Sequence, residues 1–453
     1  MYQIVNPATG LLVEEFPTAT NEQVSAAVGR SHDAYRLWRE RPVEDRVLAV
    51  KRAGELFRER SEELAAIIAQ EMGKRIDEGK GELQLVSDIF AYYAENGPAL
   101  LSDEQLEIKG GKALIQKRPV GSLIGVMPWN YPYYQVARFV APNLVLGNTI
   151  LLKHARNCPR SAAAIEQLLH DAGVPEDAYI NIYATSDQIA WMLSDDRIQG
   201  ISLTGSERAG AAVGATAGRN LKKCVLELGG SDPLIVLDTA DMDNTVDTVV
   251  SARMGNNGQA CNSPKRIIVM DDLFEEFVEK VTARMSYYKP GDPADPQTTL
   301  APLSSQQAAD ELIEQIQDAV DKGASLLTGG RHIDRPGAFV EPAVLTGVTK
   351  DMRAYYEELF GPAIVIYRAA SEDEAIALAN DSVYGLGASV FSADPTRAQR
   401  VGDRLESGMI TVNTPPGSLP DVPFGGIKRS GIGRELGPLG IEEFMNKRAV
   451  RLP

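Results

Sequence analysis

Residues 199–228, QGISLTGSERAGAAVGATAGRNLKKCVLEL, decide the fold. The apolar run at 199–204 predicts a strand, the small residues at 208–217 predict a helix, and the run at 224–228 predicts a second strand. Two strands joined through a helix form a parallel pair. The same alternation begins at Gly121, so the sequence predicts an α/β fold whose parallel sheet is covered by helices on both faces.

Polar residues stand where the predicted strands of this unit end. They are Asn130, Lys153, Thr204 and Glu227. Ligands of parallel sheets bind at the carboxyl ends of the strands, so these side chains are expected near a bound molecule. The glycine-containing turn after Thr204 also opens a helix, where backbone N–H groups can face a pyrophosphate. The pattern favours nucleotide binding.

The rest of the chain adds three predicted parts. Residues 1–104 are expected to be helical, and a second α/β unit begins at 232. Residues 105–109 and 112–117 alternate around Gly110 and Gly111, which predicts a β-hairpin. The C-terminal run 444–452 is expected to pair with this hairpin as an outer sheet, which suits oligomerisation.

Composition excludes several classes of protein. The 453 residues include 62 acidic and 46 basic side chains, a formal net charge of −16, which disfavours nucleic acid and anionic lipid as partners. No uninterrupted apolar stretch is long enough to span a membrane. Three scattered cysteines and an N-terminus unlike a signal peptide predict a cytoplasmic protein, and four histidines without paired spacing predict no metal site.

One cysteine lies in a polar loop, GNNGQACNSPKR at 255–266. A structural cysteine usually has apolar neighbours, whereas Cys261 is surrounded by glycine, amide and hydroxyl residues. Backbone and amide donors of this kind can stabilise a thiolate and the oxyanion that its attack creates. The loop therefore suggests a nucleophile, although a packing role remains the alternative for any single cysteine.

Five motifs occur in one order along the chain. They are PWNYP at 128–132, TGSERAG at 204–210, LELGGSDP at 226–233, GQAC at 258–261 and EELFGP at 357–362. Together they resemble the aldehyde dehydrogenase superfamily, and the resemblance extends from NPATG at 6–10 to PFGGIKRSGIGRE at 423–435. It implies a Rossmann-type cofactor domain at 1–104 and 121–229, an α/β catalytic domain at 230–429, and an oligomerisation arm at 105–120 and 430–453, in a homodimer or homotetramer.

The resemblance also implies catalytic roles. Cys261 is the expected nucleophile towards the aldehyde carbonyl. The Asn130 amide and the Cys261 backbone N–H are the expected oxyanion donors. Glu227 is the expected base that activates water for hydrolysis of the thioester.

The cofactor implied by the resemblance is NAD or NADP. The residues expected to bind it are Met127, Trp129, Lys153, Arg156, Thr204, Gly205, Ser206, Gly229, Glu358 and Phe360. Arg156 stands where NAD-preferring relatives often carry glutamate, and a cation there can pair with a 2′-phosphate. The alternative is that Arg156 points into solvent. We therefore expect NADP to be accepted, while use of NAD stays open.

Within the superfamily, the sequence is most similar to bacterial succinate-semialdehyde dehydrogenases. A substrate that ends in a carboxylate needs a cation in the substrate tunnel, and Arg138 is the expected one, with Ser418 supplying a hydroxyl. Gly255 replaces a second arginine of some relatives, and Ser263 replaces a cysteine of a redox switch. The alternatives are that Arg138 packs on its own helix, that the enzyme oxidises aliphatic aldehydes broadly, or that the chain binds nucleotide without turnover.

Overall fold

A computed structural model describes residues 1–453 of the chain. It contains twenty strands: β1 Tyr2–Asn6, β2 Leu11–Phe16, β3 Glu104–Ile108, β4 Gly111–Pro119, β5 Ser122–Val126, β6 Thr149–Lys153, β7 Tyr179–Asn181, β8 Ile198–Thr204, β9 Lys223–Glu227, β10 Pro233–Val236, β11 Arg266–Met270, β12 Ser325–Thr328, β13 Ala343–Thr346, β14 Ala363–Ala369, β15 Tyr384–Gly385, β16 Gly387–Phe391, β17 Met409–Val412, β18 Ile427–Lys428, β19 Gly431–Ile432 and β20 Met445–Leu452.

The chain also forms fifteen α-helices, none of which combines the length and apolar character needed to cross a membrane. They are α1 Asn21–Trp38, α2 Val43–Glu59, α3 Ser61–Met72, α4 Ile76–Leu100, α5 Tyr134–Leu146, α6 Pro159–Asp171, α7 Ser186–Ser194, α8 Glu207–Arg219, α9 Met242–Met254, α10 Phe274–Met285, α11 Gln306–Asp321, α12 Arg353–Tyr356, α13 Glu372–Asn380, α14 Pro395–Gly402 and α15 Gly437–Glu442.

The predicted α/β unit forms a six-stranded sheet in the order β19-β9-β8-β5-β6-β7. All neighbours pair in parallel except β19, which runs antiparallel to β9 at the edge. Apolar residues of α5 and α6 pack on one face, and those of α1, α7 and α8 pack on the other. The predicted alternation of strands and helices is confirmed, because each connecting helix buries one apolar face against the sheet.

The second α/β unit forms a seven-stranded sheet in the order β12-β13-β14-β11-β10-β16-β17. Only β12 is antiparallel to its neighbour. Separate apolar clusters cover its two faces. The loop that carries Cys261 enters this sheet at β11, so the thiol lies where the two sheet units meet.

The predicted outer sheet is present, with the order β20-β4-β3. Strand β20 pairs with β4 from Met445 opposite Pro119 to Leu452 opposite Lys112. The segment 430–453 does not all belong to this arm, however. Strand β19 continues the six-stranded sheet, and α15 packs near α5, because Gly431 and Ile432 satisfy the open edge of β9. Only the part from Met445 onward lies in the outer sheet.

The expectation of an entirely helical start is wrong for the first sixteen residues. Strands β1 and β2 form an antiparallel hairpin around the NPATG turn. Tyr2 and Ile4 are fully buried at alternating positions, and the Tyr2 hydroxyl donates to the Ala184 carbonyl over 2.8 Å. The other apolar residues of these two strands stay partly or fully exposed, and the stability of the hairpin depends on distant partners that local periodicity does not reveal.

Candidate active site

Four of the sequence-predicted positions meet at one edge of the six-stranded sheet. Because β9, β8, β5 and β6 are consecutive in the sheet, their carboxyl ends bring together Glu227, Thr204, Met127 and Lys153. The Met127 N–H donates to the Lys153 carbonyl over 3.1 Å, which holds these two chain ends together. This edge is the place where parallel α/β sheets bind nucleotides.

A cavity of about 350 Å³ opens beside these ends, between α7 and α8. Its walls are apolar side chains such as Ile189, Leu193 and Val213, which suit the flat face of an adenine ring. Lys153 lies on its wall, and the nearby Arg156 is exposed and forms no ion pair. Burial and the charge of Arg156 lower the pKa of Lys153 to about 8, so an anion between the two cations would relieve their repulsion.

The TGSERAG turn connects β8 to α8, as the sequence predicts. The Gly205 N–H donates to the Glu227 carbonyl over 2.9 Å, and Ser206 caps α8 by accepting from the Ala209 N–H. A Cβ atom on Gly210 would lie 2.5 Å from Leu228, so only glycine lets α8 pack this closely on β9. The free N–H groups of the first turn of α8 fit a pyrophosphate.

The EELFGP motif lies against the strand ends from the other sheet unit. Phe360 packs edge-to-face on Trp129 with ring centroids 5.7 Å apart. Glu358 accepts from the Gly230 N–H over 3.2 Å, and a Cβ atom on Gly229 would lie 2.7 Å from its carboxylate. The predicted positions Gly229, Glu358 and Phe360 therefore form one wall, where a nicotinamide riboside could bind.

The loop before Cys261 has an unusual backbone. Asn256 and Asn257 both adopt left-handed φ values of 52°, and Gly258 has φ of 73°. Asparagine tolerates this region better than other side chains. At Gly258 a Cβ atom would lie 2.3 Å from the Gly361 carbonyl oxygen, so a larger residue cannot occupy the position. This sequence of residues turns the chain so that Cys261 faces a cavity.

A fully buried arginine that the sequence did not reveal holds this loop. The Arg253 guanidinium donates to the Gly258 carbonyl over 3.1 Å and to the Ser263 hydroxyl over 2.9 Å. It also donates to the Leu359 carbonyl over 2.7 Å. The loop of Cys261 and the EELFGP motif are thereby joined through one side chain. An arginine in the last turn of a helix is common, so Arg253 carries no distinctive local pattern, which explains why it was missed.

Cys261 lines a cavity of about 370 Å³ that also reaches Tyr131, Tyr134, Phe424 and Ser418. Burial raises the pKa of the Cys261 thiol to about 12, against the opposing charges of Lys265 and Arg138. Most of the thiol is therefore neutral in the resting protein near pH 7. The thiolate that attacks a carbonyl must be generated by a base or by a change in the electrostatic field around Cys261.

Asn130 lies beside this thiol-bearing loop. Its Nδ2 donates one hydrogen to the Gln259 carbonyl over 3.0 Å, and Asn256 donates to the Asn130 carbonyl over 2.9 Å. The second Nδ2 hydrogen is not used, and the Cys261 N–H donates to no protein acceptor. The two free donors match the predicted oxyanion site.

Glu227 is a buried carboxyl group without a hydrogen-bond partner on either oxygen. Burial raises its pKa well above the usual range, although Arg138 acts in the opposite direction. A carboxyl group of this kind keeps its proton to higher pH than an ordinary glutamate and becomes a base when water or a neighbouring charge changes its surroundings. These properties are expected of a general base that acts only at one step of a reaction.

Arg138 is not in the position predicted from the sequence. Its guanidinium is fully buried behind the cavity wall, forms an ion pair with Glu435 at 2.8 Å, and stacks on the rings of Tyr134 and Phe424. It also donates to the Thr204 hydroxyl. The buried Glu435 carboxylate requires a cationic partner, and this requirement draws Arg138 away from the cavity.

Tyr134 connects Arg138 to the cavity and was missed by the sequence analysis. Arg138 Nη1 donates to the Tyr134 hydroxyl over 3.3 Å, and this hydroxyl donates to Ser418 Oγ over 2.7 Å. The Ser418 hydroxyl hydrogen is therefore left to donate into the cavity. The i, i+4 spacing of Tyr134 and Arg138 on α5 was the available signal.

Helix α4 supports both sides of the candidate site. Glu82 accepts from the N–H groups of Tyr133 and Tyr134, at the start of α5, and forms a buried ion pair with Lys74. Glu78 accepts from the Asn256 N–H over 2.9 Å. One helix thus fixes the position of the segment after Asn130 relative to the loop before Cys261.

Known proteins of one family are similar to this chain over almost its whole length. A model of the aldehyde dehydrogenase family matches residues 1–450. The succinate-semialdehyde dehydrogenase [NADP(+)] of Deinococcus radiodurans is 54% identical over 450 residues, which cover 99% of this chain and 94% of the relative. A crystal structure of succinic semialdehyde dehydrogenase from Streptococcus pyogenes with NADP+ has a TM-score of 0.98 at 42% identity and full coverage of both chains. Betaine aldehyde dehydrogenase from Staphylococcus aureus has a TM-score of 0.95 at 30% identity, with 99% of this chain and 90% of that chain covered.

Proposed function

Because the chain belongs to the aldehyde dehydrogenase family, we propose that it oxidises succinic semialdehyde to succinate with NADP+. The observation that carries this proposal is the position of Cys261, in a cavity wall beside two free oxyanion donors. Succinate-semialdehyde dehydrogenases are similar to this chain over almost its whole length.

The first step requires a nucleophile and an oxyanion site. Once a base has taken the thiol proton, the Cys261 thiolate attacks the aldehyde carbon, the carbonyl π bond breaks, and its oxygen carries the negative charge of the thiohemiacetal. The Asn130 amide and the Cys261 N–H are placed to donate to that oxygen. Donors that are already oriented stabilise this charge without a reorganisation cost.

A nicotinamide held beside Glu358 and Phe360 would supply the acceptor for the hydride of the thiohemiacetal carbon. The acyl group then remains on Cys261 as a thioester. Glu227, with both carboxyl oxygens free, takes a proton from the water that attacks this thioester. Its pKa, raised by burial, makes Glu227 a stronger base than an ordinary glutamate.

We assign the preference for NADP+ to the two cations at the end of β6. Lys153 lines the adenosine cavity, and Arg156 stands beside it without an acidic partner. A 2′-phosphate carries negative charge and acceptor oxygens, which these side chains can bind together. Nothing acidic occupies the position that repels a 2′-phosphate in proteins specific for NAD.

Arg156→Glu tests this assignment. We expect kcat/KM for NADP+ to fall about 10- to 100-fold, because a charged hydrogen bond is lost and a repulsive charge is added. Use of NAD+ should be retained or improved. Initial rates with both cofactors measure the ratio. The control is Arg219→Glu, which changes the same charge at the exposed far end of α8. A ratio that stays at the wild-type value in Arg156→Glu would refute the assignment.

We assign recognition of the substrate carboxylate to Ser418 and Tyr134, with Arg138 behind them. The hydrogen-bond chain from Arg138 through Tyr134 ends at a Ser418 hydroxyl in the cavity wall. A carboxylate accepting from this hydroxyl would interact with the arginine charge through polarised hydrogen bonds. The direct contact expected from the sequence is thus replaced by an indirect one.

Ser418→Ala and Tyr134→Phe each break this chain without removing the buried charge. We expect kcat/KM for succinic semialdehyde to fall about tenfold in each, and kcat/KM for uncharged butanal to change less than about twofold. Parallel steady-state assays with the two aldehydes give the comparison. Tyr133→Phe is the control, because its hydroxyl donates to the Leu64 carbonyl outside the cavity.

Two results would change the substrate assignment. Equal losses for both aldehydes would indicate damage to the site in general. Butanal oxidised as fast as succinic semialdehyde by the wild-type protein would favour a broad aliphatic aldehyde dehydrogenase and leave the cysteine mechanism intact. Absence of any turnover would favour a nucleotide-binding protein without activity.

We further propose a homodimer or homotetramer assembled through the β20-β4-β3 arm, together with a cofactor domain and a catalytic domain built on the two large sheets. Strand β3 is exposed at every position, including Leu106 and Ile108. An open apolar edge strand favours pairing with another chain. Light scattering tests this proposal, and a monomeric mass contradicts it.

A further inference from the structure

Lys265 is a buried cation that links three parts of the site. It precedes β11 by one residue, and its side chain is only 1% exposed. Its Nζ donates to the carbonyl oxygens of Ala260 over 2.8 Å and of Cys261 over 2.6 Å. It also forms an ion pair with Glu358 Oε1 at 3.1 Å. All three ammonium hydrogens are therefore directed at the nucleophile loop or at Glu358.

The ion pair spans two segments that are distant in sequence. Glu358 belongs to the wall proposed to hold the nicotinamide riboside, and it also accepts from the Gly230 N–H. Lys265 thus bridges the loop that carries the nucleophile and the carboxylate on the cofactor side. Hydride transfer requires these two parts to be aligned within a fraction of an ångström.

We propose that Lys265 is a positioning residue of the dehydrogenase reaction, which aligns the Cys261 loop with Glu358 and stabilises the Cys261 thiolate by its charge. The inference rests on the proposed function, since it gives Lys265 a role only if Cys261 is the nucleophile. It adds a residue that the motifs of the sequence analysis did not identify.

The surroundings of Cys261 make this charge important. The ionisable groups that act on the thiol or share its cavity are the cations Lys265, Arg138 and Lys74, the carboxyl groups of Glu358, Asp232, Glu78 and Glu82, and the phenols of Tyr131 and Tyr134. Arg138 is already paired with Glu435, whereas Lys265 binds the Cys261 carbonyl directly. Burial raises the pKa of Cys261, and Lys265 is foremost among the groups that lower it.

The charges of Glu358 and Asp232 determine how strongly the Lys265 ammonium stabilises the Cys261 thiolate. The Glu358 carboxylate partly neutralises the ammonium at 3.1 Å. The pKa of the buried Asp232 carboxyl is raised to about 7 by burial, so its charge near Lys265 is incomplete at neutral pH. Removing the charge of Glu358 should therefore strengthen the effect of Lys265 on the thiol, and removing Lys265 should do the reverse.

The test compares two variants of the full-length protein, without substrate or cofactor. One variant loses a positive charge near Cys261, and the other loses a negative charge. The rate at which iodoacetamide alkylates Cys261 is measured against pH, and mass spectrometry of the labelled peptide identifies the site. For Lys265→Met we expect the rate to fall about tenfold near pH 7 and to stay below the wild-type rate at every pH measured. For Glu358→Gln we expect a faster reaction, and Lys265→Arg should restore most of the wild-type profile.

A purely structural role would give a different result. Loosening of the loop would change the alkylation rate in the same direction in Lys265→Met and Glu358→Gln. A faster reaction in Lys265→Met, or equal changes of the rate in both variants, would therefore overturn the proposal. If Lys265→Met does not fold, the sign of the change in Glu358→Gln still decides. Because no aldehyde is used, refutation of the Lys265 role leaves the substrate assignment untouched, and the butanal comparison can fail without affecting this result.

Discussion

Cys261→Ser is expected to abolish aldehyde oxidation, with kcat reduced about 10⁴-fold or more. A serine hydroxyl is a much weaker nucleophile than a thiolate and has a much higher pKa than a thiol, so it cannot replace Cys261 in the attack on the carbonyl. The measurement is the formation of reduced cofactor with succinic semialdehyde. Binding of NADP+ by fluorescence should remain close to wild type, which shows that the fold is preserved.

Cys224→Ser is the matched control for this substitution. Cys224 is a partly exposed thiol on β9. It packs in the cluster of Val213 and Leu226, outside the cavity that Cys261 lines. It should keep activity within about twofold of wild type. Activity of Cys261→Ser within tenfold of wild type would contradict the assignment of Cys261 as the nucleophile. Loss of activity in Cys224→Ser alone would assign the nucleophile to Cys224 instead.

Glu227→Gln is expected to separate the two halves of the reaction. Acylation should still give about one equivalent of reduced cofactor per active site, followed by a steady-state rate about 10²- to 10³-fold below wild type, because no base activates the hydrolytic water. Rapid mixing resolves the burst from the steady state. Since glutamine cannot titrate, the wild-type rise of the steady-state rate with pH, through the raised pKa of Glu227, should also disappear.

An external nucleophile provides the check on this interpretation. Hydroxylamine attacks a thioester without a general base and should restore turnover in Glu227→Gln by forming the hydroxamic acid. Glu406→Gln, a change at an exposed carboxylate paired with Lys428, is the matched control. A variant with no burst would assign Glu227 to an earlier step, such as removal of the thiol proton.

The local structure near the strand ends follows closely from the sequence. The strands predicted at 199–204 and 224–228 and the helix predicted at 208–217 agree within two residues with β8, β9 and α8. The rule that ligands bind at the carboxyl ends of parallel strands places Lys153, Thr204 and Glu227 together. The hairpin β1-β2 escaped prediction because its two buried side chains form too short a pattern.

The sequence by itself determined the order of strands and helices, the family resemblance and the identity of the thiol, the carboxyl group and the amide proposed for catalysis. Only the tertiary structure decided which charges neutralise one another. Arg138 pairs with Glu435, which is almost 300 residues away, and Lys265 meets Glu358. Periodicity and motif spacing are local properties of a chain, whereas a buried charge takes whichever partner the packing brings within reach.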